Sequence, residues 1–140
     1  MSNEKILSKY RIEQAIECLQ SAEREVKAVS YKSAANRSYY AIFHAMRAVL
    51  ALDNFDSKKH AGIISAFRER YIKTGKFAPH FSKIIGDAFD IRRDSDYEDF
   101  YIVPQIEILQ QIENARLFLE AVEKYIAQLP TEEDLRGIIP

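Results

Sequence analysis

The sequence predicts an all-α protein, a four- to five-helix antiparallel up-and-down bundle, and three observations carry that prediction. Gly and Pro number only four each in 140 residues, too few for a turn-rich β architecture. The long stretches free of both repeat their apolar residues every three to four positions, which is the helical period. The breaks between these stretches are short, and short breaks leave successive helices side by side and antiparallel.

Taken in order, Ser2 or Asn3 caps a first helix with apolar positions at Ile6, Leu7, Tyr10, Ala15, Ile16, Leu19, Ala22, Val26 and Val29, running to about residue 28. A break at 29–31 fits only a tight αα turn. The second helix fades near Asp53, and Asp56 or Ser57 caps a third with its stripe at Ile63, Ile64, Phe67 and Tyr71. Gly75 suits the left-handed position that ends it. A fourth helix follows Pro79 on Phe81, Ile84, Ile85, Ala88, Phe89 and Ile91, and the segment 92–99 is polar and irregular at its end. Pro104 opens a fifth, with Ile108, Ile112, Ala115, Leu119, Val122 and Ile126 on its stripe, and Pro130 stops it. The one strand-like run, 99–103, has no partner. Residues 1–130 therefore read as one helical domain and 131–140 as a loosely attached tail.

The bulk numbers exclude several classes. An apolar content of 47% with 29% charged residues describes a globule with a core. A net charge of −1 gives no overall basic field to advertise nucleic-acid binding, although a local basic cleft fits within a neutral chain. The single Cys18 forbids an internal disulfide and cannot alone build a zinc site; beside Leu19 it reads as a small core residue. No apolar run approaches the roughly 20 residues that cross a bilayer, and the N-terminus lacks a signal-peptide core. The expected location is cytoplasmic, without membrane contact.

The most informative stretch is 34–51, AANRSYYAIFHAMRAVLA. On a helical wheel Tyr39, Ile42, Phe43, Met46, Val49 and Leu50 share a core face. Ala34, Ala41, Ala45 and Ala48 form a small-residue strip that admits another helix closely. Between them Asn36, Arg37, Tyr40, His44 and Arg47 occupy an arc of about 100°. These side chains make directional hydrogen bonds and tolerate partial burial, unlike the Glu and Lys of a solvated face. The strip is expected to face another helix, a dimer partner or a ligand cleft. Arg37 and His44 are seven positions apart, almost two turns, so both project from one side. A His with a near-neutral pKa can act as acid or base and an Arg can hold a phosphate; the same residues can also form a polar network that joins helices.

Three further groups need both readings. Lys59 and His60 open the third helix, where free N–H groups favour anions, and equally suit a surface pair at a helix start. Arg92, Arg93, Asp96 and Tyr97 could hold a phosphate, or Arg92 could pair with Asp96 one turn on. The carboxylates of 94–99 lack the Gly and spacing of a calcium loop, so no metal is expected. His80, after Pro79, reads as exposed.

Three segments in this order, Asn36-Arg37-Ser38-Tyr39-Tyr40-Ala41-Ile42-Phe43-His44-Ala45, then Lys59-His60-Ala61-Gly62 with Phe67 and Lys73-Thr74-Gly75, then Arg92 with Asp96-Tyr97, resemble the HEPN superfamily (higher eukaryote and prokaryote nucleotide-binding), in its small stand-alone prokaryotic branch. The resemblance spans roughly residues 5–128. It implies a helical bundle, usually a homodimer, and in many members a toxin–antitoxin pair with a minimal nucleotidyltransferase encoded alongside. Catalytic members are metal-independent endoribonucleases with an Arg, four to six residues, then a His late in the bundle, where two copies meet. Here no His follows Arg92-Arg93, whereas Arg37 and His44 have six residues between them on an earlier helix. The resemblance thus implies a toxin component with metal-independent endoribonuclease activity on Arg37 and His44. Asn36, Tyr40, Arg47, Lys59, His60, Arg92, Arg93, Asp96 and Tyr97 would then contact nucleotide or RNA, with no cofactor. The alternative is a non-catalytic nucleotide-binding or interaction module that pairs with a nucleotidyltransferase subunit.

Overall fold

The computed structural model describes residues 2–138. Its elements are α1 (Asn3–Lys27), α2 (Tyr31–Leu52), α3 (His60–Phe67), α4 (His80–Tyr97), α5 (Gln105–Ala127) and the short α6 (Glu132–Ile138). A π-helical turn, Arg68–Ile72, extends α3. No strand occurs among the described residues, and 99–103 is irregular chain. The all-α bundle read from the sequence is the observed fold.

Side-chain contacts fix the directions. Arg37 and Arg47 on α2 reach Cys18 and Arg11 on α1, so these helices run antiparallel. Arg92 on α4 reaches Tyr40, and Asn36 and Arg37 share a groove with Ser95 and Asp96 further along α4, so α4 runs antiparallel to α2. On α5 the Gln111 Nε2 donates to Ser38 Oγ at 2.6 Å and to the Ala35 carbonyl at 3.3 Å. α2 is the central helix. Thirteen of its residues are buried, including Ala34, Ala41, Ala45 and Ala48 at 0% exposure, so the small-residue strip lies wholly inside. An aromatic group of Phe67, Phe77, Phe81 and Phe118 fills the space between α3, α4 and α5.

Local rules account for most ends. Ser2 Oγ accepts from the Lys5 N–H at 3.2 Å, a side-chain N-cap. Gly75 has φ +80°, the left-handed geometry its position requires. Pro104 caps α5. α3 differs from expectation: its N-cap is Lys59, without a side-chain cap bond. Asp56 is drawn away from that role by two arginines, and Ser57 Oγ accepts from Lys59 N–H instead. Ser57 also explains Gly62, because a Cβ there would lie 2.4 Å from Ser57 Oγ.

The first turns of α1 depart from the expected stripe. Ile6, Leu7 and Tyr10 are exposed, and the inward face is Ser8, Arg11, Ala15, Cys18, Leu19 and Ala22. Arg11 turns inward because Asp56 and the Arg47 carbonyl accept from it at 3.2 and 3.1 Å. Helix α4 runs on to Tyr97, so the polar segment is helical for most of its length and irregular only after it. The tail carries α6.

Val29 closes the α1–α2 turn with φ +61° and is 69% exposed. A β-branched residue in the left-handed region costs about 1–2 kcal/mol, and its side chain returns little packing. Val29→Gly should stabilise the fold by about 1 kcal/mol, raising Tm by about 3 °C in a thermal melt followed by circular dichroism. An unchanged or lowered Tm would show that the turn is relaxed.

Candidate functional site

The polar strip of α2 lies in the seam between α1 on one side and α3 and α4 on the other. It is partly open: Asn36, Arg37, Tyr40, His44 and Arg47 are all half-buried. Tyr40 is its centre. The Arg37 guanidinium lies 5.4 Å from the Tyr40 ring centroid and the His44 ring 5.9 Å from it. The two residues that satisfy the Arg–His spacing therefore flank one aromatic ring on one face.

The arginines are not equivalent. Arg47 pairs with Asp56 at 3.1 Å, and Arg11 reaches the same carboxylate at 3.2 Å. Burial alone would raise Asp56, but hydrogen bonds from Arg47 and the Ser57 amide, with the charges of Arg47 and Arg11, hold it below the usual carboxylate range. Arg92 pairs with Asp96 at 2.9 Å and also lies 3.5 Å from the Tyr40 hydroxyl. Arg37 has only neutral partners: its Nε and Nη2 donate to Asn36 Oδ1 at 3.0 and 2.6 Å, and its Nη1 to Cys18 Sγ at 3.9 Å. Among the described residues no carboxylate pairs with it. Its charge is thus the one in the seam left for an anion.

His44 sits among these cations. Among the described residues neither ring nitrogen has a hydrogen-bond partner, and Nδ1 is sealed from solvent. Burial, then the charges of Arg47, Arg37, Arg11 and His60, push its pKa down to about 4. The imidazole is neutral at pH 7 and open to accept a proton. Buried Arg47 Nε is likewise unpartnered. A buried donor or acceptor without a partner costs stability, and a ligand or a water molecule in the seam would supply the missing bond.

His60 is the residue the structure moves most. The helix-start pair separates: Lys59 is exposed, whereas His60 turns inward, its Nδ1 2.9 Å from the Tyr39 hydroxyl and its ring 4.3 Å from Phe43. Burial, then Arg92 and Arg47, lower its pKa as well. The structure therefore brings Arg37, Tyr40, His44, Arg47, His60 and Arg92 together. Asn36 and Arg37 also line a groove of about 500 Å³ with Glu25, Lys32, Ser33, Ser95 and Asp96. Arg93 stands apart, paired with Asp90 and Asp94, and Tyr97 is 76% exposed. His80 is exposed against Phe81.

The sequence reading missed Arg11 and the hydroxyl of Tyr39. Arg11 carried a legible signal: it falls one turn before Ala15 and two before Cys18, a charge on an inward face. Among the described residues no three His, Cys, Asp or Glu side chains converge in the manner of a metal site.

The chain's residues 8–125 match the model of the HEPN domain. The chain belongs to the HEPN family. Three relatives match over most of both chains. A Thermotoga maritima protein named "UPF0332 protein" is 34% identical over 90% of this chain and 95% of its own. Two Methanocaldococcus jannaschii proteins bear the names "Putative toxin MJ0142" and "Putative toxin MJ0605". The first is 27% identical over 82% of this chain and 78% of its own length; the second is 30% identical over 84% and 87%. This HEPN chain is thus similar to proteins named for toxicity. None of its described helices is long and apolar enough to cross a membrane.

Proposed function

We propose that this HEPN protein is a toxin that cleaves RNA without a metal, using the α2 seam. One observation carries the reading: a neutral histidine with no internal partner lies on the same ring as an arginine with no carboxylate. In this reading a scissile phosphate pairs with Arg37. His44 takes the proton of the adjacent 2′-hydroxyl. The 2′-oxygen attacks phosphorus, the bond to the 5′-oxygen breaks, and the leaving oxygen takes a proton from water or from the His44 imidazolium. Arg37 offsets the charge that builds on the phosphoryl oxygens. Arg92 and Tyr40 hold the neighbouring nucleotide, and bound phosphate raises the His44 pKa toward neutrality by cancelling its cationic surroundings. The protein works in the cytoplasm as a homodimer, and a minimal nucleotidyltransferase acts as its antitoxin.

The test is cleavage of a fluorescent RNA in EDTA, with growth arrest on expression and rescue by co-expression of a nucleotidyltransferase from the adjacent locus. Absence of cleavage with a folded chain would reject the nuclease. A second reading has a specific basis in the absent His after Arg92-Arg93: the same seam binds nucleotide without cleaving it, and the chain serves as a binding partner of the nucleotidyltransferase. It predicts RNA or nucleotide affinity that Arg37→Ala weakens, with no products.

The seam also sets an acid limit on stability. The neutral form of His44 is the folded one, so its contribution is fully present above the ordinary pKa of 6.5 and is lost as pH falls toward about 4. His60 shifts in the same direction. Urea melts between pH 7 and pH 4 should show a smaller loss in His44→Gln than in the native chain; equal slopes would remove His44 from the acid transition.

A further inference from the structure

The end of α4, the 98–104 linker and the start of α5 leave several large apolar side chains exposed. Phe100 is 97% exposed, Ile102 81%, Ile106 79% and Leu109 47%. Large apolar side chains exposed within ten residues of one another are the mark of an interaction surface. Phe100 also has φ +61°, a strained conformation for a bulky residue that the surrounding chain must hold in place.

The charge around this patch selects its occupant. After Arg93 the next cation in the chain is Arg116. Glu98, Asp99 and Glu107 stand among the apolar residues, exposed and without an ion-pair partner among the described residues. A second copy docking by two-fold symmetry would lay this acidic rim on itself, and like charges facing across an interface repel. Nucleic acid and anionic lipid are repelled for the same reason. We propose that the Phe100–Leu109 face is a docking surface for a different protein, one whose apolar contact face is rimmed by Lys and Arg. The apolar centre supplies the contact area, and the acidic rim supplies steering and orientation. This surface is separate from the α2 seam and does not depend on the seam's chemistry.

The test titrates the full chain with a Leu/Lys amphipathic helical peptide and with its Leu/Glu counterpart, reading backbone amide shifts. The Leu/Lys peptide should perturb residues 98–109 and bind at least about tenfold more tightly than the Leu/Glu peptide. Ile106→Ser should weaken it by a similar factor while leaving RNA cleavage unchanged. Because Ile106 is exposed, the variant retains the fold, and the triple change Glu98→Lys, Asp99→Lys, Glu107→Lys should reverse the peptide preference. Shifts outside 98–109, or equal binding of the two peptides, would overturn the proposal. So would a native dimer in sedimentation that Phe100→Ser converts to monomer, which would assign the face to a second copy of the chain.

Discussion

His44→Ala should lower the rate of RNA cleavage by about 10²–10⁴-fold, the usual loss when a positioned acid–base group is removed. The expectation rests on a side chain that the fold leaves unused. Among the described residues neither nitrogen of His44 has an internal hydrogen bond, so removal breaks none of those seen. The change removes ring contacts with Tyr40 and Phe43 but no hydrogen bond, so Tm should fall by only a few degrees while activity collapses, a split that a merely structural residue would not give. Arg37→Ala should cost about 10²–10³-fold through lost charge stabilisation. Its hydrogen bonds go to neutral groups, the adjacent Asn36 and the Cys18 sulfur at 3.9 Å, so its effect on stability should also be small. Arg37→Lys should recover part of the rate, since a point charge replaces the guanidinium fork. The pH profile gives an independent reading. With the free His44 pKa at about 4, kcat/KM should hold level from neutrality down and fall only in strong acid, whereas kcat, which reports the RNA complex, should fall at higher pH. A His44→Ala chain that cleaves RNA at the native rate would remove this residue from the reaction and favour the binding module.

Phe118→Ala should produce the largest loss of stability, about 3–5 kcal/mol. Phe118 is 0% exposed, and its ring lies 5.5 Å from Phe67, 6.3 Å from Phe77 and 5.4 Å from Phe81. It thus joins α5 to α3, the connecting loop and α4 through one contact group. Those neighbours are large and themselves anchored, so they cannot collapse into the vacancy, and the cavity term is added in full to the lost transfer energy. For a chain of this size the loss is about 10–15 °C in Tm, a substantial part of the total stability of a small domain. Phe118→Leu should cost much less, because it keeps most of the volume. A drop of only a few degrees for the Ala variant would mean that the α3–α4 half moves to fill the space.

The helices themselves were legible in the chain because each is specified locally. Periodicity marks the buried stripe of α2, Ser2 caps α1, Gly75 takes the left-handed turn and Pro104 opens α5, and none of these depends on a distant residue. The wheel also placed Asn36, Arg37, Tyr40, His44 and Arg47 on one strip, since angle along a helix is fixed by position alone. It could not say which of them would be satisfied. That was decided by residues remote in sequence: Asp56 takes Arg47 and Arg11, Asp96 takes Arg92, and Tyr39 turns His60 inward. What was left over, a carboxylate-free Arg37 and an unpartnered His44, is a remainder after tertiary pairing. The outward Ile6, Leu7 and Tyr10 teach the same lesson from the other side. Amphipathic spacing names a face, but only the neighbouring helices determine whether that face is covered, because burial is a property of the whole packing and not of the segment.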